Sequence, residues 1–422
     1  MIRIRLDDIL FFVIFLFERT IDNFENTKTT LFVRTMSEIF VRFGELGLKS
    51  PPVRRRMEKR LAINIKIVLE KEGITEAKIT INRAWARLIV SLETPQNSIE
   101  NESIIQKIIT ILTQNIAGIT SVSHVIRSSS DLNEIKKTAL NLAKENLKPD
   151  SSFAVRARRI GNHDYSSQDL ERLVGEVLYE TLAQKHNLTV NLTDPDYTLS
   201  IEVKDEDAFI FDQKIPGIGG LPQGTQGRIN SILRGSLEDA ISGFLMSKRG
   251  SNIIPIAFIL KNSKTLGTNE NAIERQLEIF NLMQPKKHFS YYKVDFAYIL
   301  QEIGIDRLQC STCDKICIAI SERISGDQYI DGFCLGNAKD TILERIPESS
   351  RNQLAPVYYP VISLDPTKIS HPFKESFSSE FCLSQCPGYE NQKKKEIKPP
   401  SPEEIEWIVA SANFSLIKPD SV

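Results

Sequence analysis

The chain has 422 residues, long enough for two or three domains with a full core in each. Hydrophobic residues make up 41% and charged residues 25%, with a formal net charge of -1, so a globular protein is expected in which nucleic-acid binding would come from local basic patches. Six cysteines exclude a disulfide-stapled secreted scaffold, and five of them fall into two clusters, which points to a metal, a cluster or sulfur chemistry in a reducing cytoplasm.

The most strongly apolar run, near the start, is ILFFVIFLF at 9–17, too short for the roughly 20 residues of a spanning helix. Acidic residues flank it and no small-residue cleavage site follows. Residues 1–35 therefore read as an upstream-start artefact or a loose extension, with a well-formed domain beginning at Met36. Within 36–97 the pattern is strand (38–43), helix, strand, strand. Val53, Met57, Leu61, Ile65 and Val68 recur at helical spacing up to Gly73, and AKITIN and ARLIVSL alternate as a hairpin around Arg83–Trp85. That order predicts a small ferredoxin-like α+β domain.

A second α/β unit is expected over 98–215. Helical patterns cover 101–114, 131–147 and 166–186, the last opening on a Ser166/Asp169 capping box; strands are expected at 120–127, 152–160, 197–204 and 207–214. The glycine- and proline-rich IPGIGGLPQGTQG (215–227) reads as a hinge or an ordered loop. From Arg228, strands and helices alternate as in a parallel, doubly wound sheet, with IIPIAFIL (253–260) apolar throughout like a strand buried on both faces. The third unit, 216–390, gives way to a polar, basic linker and a short last helix in 391–422.

Three stretches carry candidate chemistry. SILRGSLED, from Ser231, runs from an apolar strand through a one-glycine turn into a helix, where main-chain N–H groups can meet phosphate; taken by itself, a plain turn is the simpler account. CSTCDKIC sets Cys310, Cys313 and Cys317 at the start of a helix, and FCLSQCPG supplies Cys382 and Cys386. One Cys-x-x-Cys pair and a second from a distant loop can complete a four-thiolate site, for zinc as readily as for an iron–sulfur cluster. Cys317 and Cys334 sit in apolar surroundings that suit core thiols. Basic residues gather at Lys49, Arg54, Arg55, Arg56, Lys59 and Arg60, clear of the helix's apolar stripe, and at Arg156, Arg158 and Arg159 along a strand followed by His163. A solvated helix face accounts for the first group as well as RNA phosphate does; His163 suits a contact rather than a catalyst.

FVRFGELGLKSPPVRRRMEKRL, GIGGLPQGTQG, the segment ending MSKRG and DGFCLGNAKDTILERI occur in one order that resembles the ThiI-type tRNA 4-thiouridine synthetases. The resemblance spans about 36–390. It implies a ferredoxin-like α+β domain and a THUMP domain, followed by a doubly wound parallel-sheet PP-loop domain of the adenine nucleotide alpha-hydrolase type. The family's loop reads Ser-Gly-Gly-x-Asp-Ser; the matching positions are Arg234, Gly235, Ser236, Leu237, Glu238 and Asp239. Only Gly235 is retained. Gly235, Ser236 and Glu238 would hold the phosphates of ATP with Mg, and Arg234 could pair with phosphate. Ser236 adds a Cβ, and Asp239 a negative charge, where the anion would approach. At GFCLG (332–336), Phe333 and Cys334 replace the polar pair usual near the nucleotide cleft.

The resemblance further implies an iron–sulfur cluster on Cys310 and Cys313 with Cys382 or Cys386, zinc being the rival, or a persulfide on Cys382 or Cys386. No rhodanese domain is expected. The THUMP likeness places Arg156, Arg158 and Arg159 toward the acceptor end of tRNA, read by backbone and shape. The function it implies is ATP-dependent thiolation of uridine in tRNA, with sulfide or a cysteine desulfurase as sulfur donor, in the cytoplasm, without a membrane, by a homodimer. Two other readings stand beside it: a tRNA-binding protein with an inactive loop and a structural metal, and sulfur supply to thiazole synthesis.

Overall fold

The computed structural model describes residues 34–82, 87–95, 99–261, 268–307, 309–326, 329–336, 355–361, 364, 369, 372, 398 and 400–418. Residues 1–33, Arg83–Trp85, Cys382 and Cys386 lie outside these. Two sheets organise the molecule.

The first is built on β1 (Arg34–Arg42), β2 (Lys78–Asn82), β3 (Arg87–Pro95) and β4 (Ser121–Ser129), with helices α1 (Pro51–Lys71) and α2 (Ile99–Gln114) on one face. Ile39, Val41, Leu88, Val90 and Val122 alternate inward against Leu61 and Ile65 of α1 and Ile105, Ile108 and Leu112 of α2. The boundary expected between 97 and 98 thus falls inside one core: α2 and β4, placed in the second unit on sequence, complete the first by burying their apolar faces on it.

β4 then continues into the next unit. Its first half pairs with β1 and its second half with β8 (Asp207–Phe211). β8 leads to β7 (Tyr197–Lys204), β5 (Ser152–Ile160) and β6 (Thr189–Val190), giving the order β2-β3-β1-β4-β8-β7-β5-β6, with β9 (Ile215–Pro216) on β4. Helices α3 (Leu132–Asn146) and α4 (Ser167–His186) pack on Val155, Leu199, Ile201 and Ile210, the same side of the sheet as α1 and α2. The Ser166/Asp169 box caps α4 with both reciprocal bonds made.

Among the described residues no helix packs on the opposite face, yet over β1, β3, β4 and β8 it is buried, because the sheet rolls onto itself. Flat, β3 and β7 would lie roughly 19 Å apart at the ordinary strand spacing. Instead Arg87 Nη2 donates to Glu202 Oε1 at 2.8 Å, and Arg42 Nη2 stands 3.8 Å from the same oxygen. Phe40, Ile89, Val125, Phe209 and Phe211 fill the fold of the roll, with the Phe40 and Phe209 ring centroids 4.6 Å apart.

The glycine-rich segment is an ordered splice. Gly219 N–H donates to Ile119 O at 2.7 Å and Gly217 N–H to Thr120 O at 3.0 Å; Leu221 N–H then bonds Lys248 O and Gly224 N–H bonds Gly250 O. Gly220 has φ +79°, and a Cβ there would lie 2.0 Å from Lys248 O, so the approach requires glycine.

The second sheet runs β14-β13-β10-β11-β12-β15. Strands β10 (Arg228–Leu233), β11 (Asn252–Ile259), β12 (Tyr291–Asp295), β13 (Gly332–Cys334) and β14 (Val357–Tyr358) are parallel. Helices α5 (Leu237–Lys248) and α6 (Glu270–Met283) cover one face through Ile241, Phe244, Leu277 and Phe280. Helices α7 (Phe296–Ile303), α8 (Cys310–Ser325) and α9 (Pro402–Ser411) cover the other through Ile299, Ile316, Ile320 and Ile408. This is the doubly wound arrangement, with one difference: β15 (Phe414–Ile417), unseen in the sequence, adds antiparallel to β12. Four residues after a helix are too short for alternation to show. Among the described residues no helix is long and apolar enough to cross a membrane.

Candidate functional site

The site lies at the carboxyl ends of β10 and β13, where an open α/β sheet places ligands. β10 ends at Leu233, and Arg234, Gly235 and Ser236 turn the chain into α5. Gly235 has φ +98°, the left-handed region that favours glycine. Ser236 is the N-cap, its Oγ accepting from Asp239 N–H at 3.1 Å. Side chains of α6 and its cap hold the loop's carbonyls: Asn269 Nδ2 donates to Arg234 O at 2.8 Å and Gln276 Nε2 to Ser236 O at 2.9 Å. The turn is a fixed structure, its main chain held by side chains from α6 and its cap.

Its charged side chains pair with one another. The Arg234 guanidinium donates through Nε (3.1 Å) and Nη2 (2.8 Å) to Asp239 and through Nη1 (2.6 Å) to Asp314 of α8. Arg234 N–H also donates to Asp239, at 3.0 Å, and Gly336 N–H does the same at 3.0 Å. Arg234, Asp239 and Asp314 are 5%, 0% and 4% exposed. Gly336 presses on the start of α5: a Cβ on it would stand 2.0 Å from Asp239 N. Burial pushes the Glu238 carboxyl above its ordinary range. The seat where ATP is expected is thus filled by Asp239, and this conformation does not fit a nucleotide's phosphates.

The first cysteine cluster lies beside this loop, on the opposite face of the sheet. Cys310, Cys313 and Cys317 fall on one stripe of α8, the first two half-buried and the third buried, and none of the three is in a disulfide. The hydrogen bond with Cys317 and then burial push the Cys313 thiol well up. Cys310 and Cys313 are soft donors one turn apart and fit two corners of a thiolate site. Among the described residues no group of three or more His, Cys, Asp or Glu side chains is placed to hold a metal ion; the other two expected ligands, Cys382 and Cys386, lie outside them. Cys334 is a core thiol raised to about 12 by burial against the hydrogen bonds of Ser231 and Ser242.

The expected RNA contacts divide between two faces. Lys49, Arg55 and Arg56 are exposed at the start of α1. Arg54 is a structural tie: Nε donates to buried Glu58 at 2.8 Å and the guanidinium lies 5.7 Å from the Phe43 ring centroid. Arg156 and Arg158 are exposed on the helix-free side of β5, in register with Ser200 and Glu202, and Arg156 also donates to Leu192 O. Arg159 turns to the other side and holds Gly161 O at 2.7 Å, beside His163, whose Nε2 bonds Asp205 O at 2.7 Å. The residues that sequence reading passed over are Asp314, Asn269 and Gln276. Asp314, directly after the Cys-x-x-Cys pair, was the visible one; the two amides carry no pattern.

Three family models match in order: the ThiI ferredoxin-like domain over 38–123, the THUMP domain over 129–211, and Thiamine biosynthesis protein (ThiI) over 224–395. A protein of Methanocaldococcus jannaschii named Probable tRNA sulfurtransferase is 28% identical over 388 residues, 88% of this chain and 96% of its own length. A protein of the same name from Methanosarcina mazei is 26% identical, over 82% of this chain and 84% of its own. Among solved structures, PH1313 from Pyrococcus horikoshii matches with TM-score 0.57 at 27% identity, covering 78% of this chain and 95% of that one. A 4-thiouridine synthetase–RNA complex with bound ATP matches with TM-score 0.65 at 20% identity, covering 91% of this chain and all of that one, and supports the fold. The class is therefore a THUMP protein with a ThiI-type α/β domain behind it. The chain belongs to the ThiI family.

Proposed function

We propose that this protein is a ThiI-type tRNA sulfurtransferase that exchanges the carbonyl oxygen of a uridine for sulfur. The observation that carries this is the succession of ferredoxin-like, THUMP and ThiI domains over nearly all of 38–395, shared with relatives that bear the sulfurtransferase name. Lys49, Arg55, Arg56, Arg156 and Arg158 hold tRNA by its phosphates, while Arg54 and Arg159 position these elements from behind. Cys310 and Cys313, with Cys382 or Cys386, handle sulfur received from sulfide or a cysteine desulfurase. The same thiolates would hold an iron–sulfur cluster, or zinc, and a cluster supplies bound sulfide as a nucleophile. This reading calls for ATP with Mg, which the loop could receive only after Asp239 leaves the seat, and for a homodimer in the cytoplasm.

Cys382 and Cys386 are the candidates for a persulfide, taken by thiolate attack on the outer sulfur of a cysteine desulfurase's persulfide and not from sulfide; Cys313, with its raised thiol, suits the ligand role better. The test is nucleoside mass spectrometry of tRNA after incubation with the full chain, ATP and a sulfur donor. Thiouridine that disappears in the Cys310→Ser/Cys313→Ser variant supports the reading; tRNA bound but never thiolated sinks it. One observation favours the second reading, a tRNA binder with a structural metal: the loop's phosphate seat is filled from within.

A further inference from the structure

The Asp239 carboxylate is held as a phosphate would be. Four hydrogen bonds reach it, two from main-chain N–H groups (Arg234 and Gly336) and two from the Arg234 guanidinium, at 2.8 to 3.1 Å. These are the donor types a strand-to-helix turn offers an anion. Nothing in helix capping requires the arrangement, since Ser236 already caps α5. Asp314 takes the remaining prong of the guanidinium at 2.6 Å. Arg234, Asp239 and Asp314 expose only 5%, 0% and 4% of their surface. An arriving polyphosphate meets a dehydrated seat already holding a carboxylate, with its best donors in use.

We infer that Asp239 is a built-in stopper: polyphosphate reaches this loop only by displacing the Asp239 carboxylate from Arg234, and Asp314 on the cysteine helix sets how readily the guanidinium lets go. The displacement breaks no covalent bond. It exchanges one carboxylate for one phosphate on the guanidinium, and it ties the loop mechanically to α8, because Asp314 directly follows Cys313. The inference rests on reading this turn as the ThiI nucleotide loop.

The experiment is calorimetric titration of the full chain with inorganic pyrophosphate, repeated with ATP and Mg. Wild type is expected to bind weakly or not at all, and a dissociation constant below about 10 μM overturns the inference by itself. Asp239→Asn and Asp314→Asn each remove one negative charge and are expected to bind pyrophosphate at least about tenfold tighter than wild type. Thermal unfolding identifies which variants are folded, and either one suffices. A folded variant with no gain overturns the proposal. The assay reads the loop alone: a tRNA that stays unthiolated while the variants gain pyrophosphate ends the sulfurtransferase reading and leaves the stopper standing. Thiouridine formation with no gain does the reverse.

Discussion

A buried guanidinium shared by two carboxylates is stable only while the three stay together. Removing the cation leaves two charges without their partner in a dry place, a loss of ~3–5 kcal/mol for a buried pair. Arg234→Ala should therefore lower unfolding free energy by that order in urea titrations; a change under about 1 kcal/mol would contradict the pairing described. The thiols divide on the same principle. Cys334 has its thiol raised to about 12 by burial, and stability linked to its proton is present below the ordinary thiol range, where both folded and unfolded chains keep it. At pH 8.5 the native protein should leave Cys334 unmodified by iodoacetamide while exposed thiols react, with peptide mass spectrometry as the readout. At this scale the sequence was informative about residue types and silent about partners. Cys334 and Cys317 could be read as core from their apolar neighbours, and Arg234 and Asp239 were visible as departures. That they bind each other depends on a turn geometry that no spacing encodes.

Elements were legible wherever apolar periodicity ran for several turns or strands. The stripe Val53, Met57, Leu61, Ile65, Val68 gave α1, and Ser166 with Asp169 gave the start of α4. What failed were short pieces and shared ones. β15 has four residues, and the role of the glycine-rich segment depends on carbonyls of Ile119 and Lys248 far along the chain. Its tightest point makes a prediction. Gly220→Ala puts a Cβ against Lys248 O in a left-handed backbone, at a cost of about 3 kcal/mol or more, and should lower the melting temperature measurably. α9 supplies a pH test. The Arg307 guanidinium donates to both oxygens of Glu404, at 3.0 and 2.8 Å, and holds that carboxyl down to about 2. A depressed carboxyl contributes above its unfolded range, near 4.5, and the contribution is lost as pH falls toward 2. Trp407, on the same helix, should report the change: its emission shifts in that acid window in wild type and loses the step in Glu404→Gln.

For the whole molecule, the nine-stranded sheet decides where RNA can lie. The roll closed by Arg42, Arg87 and Glu202 sets β5, with Arg156 and Arg158, on the sheet face opposite to α1. Glu202→Ala removes the carboxylate that Arg42 and Arg87 share and should open the roll, seen as faster hydrogen exchange in β1, β7 and β8 than in the second sheet. Arg156→Ala/Arg158→Ala should weaken tRNA binding and flatten the dependence of log affinity on log salt by about 1 to 2, one phosphate per arginine. An equal loss at all salt concentrations would show that the pair does not touch the backbone.

β4 is a party wall. One unit leans on Ser121–Val125 and the next on Ile126–Ser129, so neither can be lifted out without breaching the other. A fragment ending before 121 exposes the edge of β1, and one starting after 129 exposes the edge of β8; in both, unpaired backbone and an apolar face meet water. Swapping this THUMP unit into another protein would mean transplanting the wall with it, and the two units should open and close together rather than one at a time.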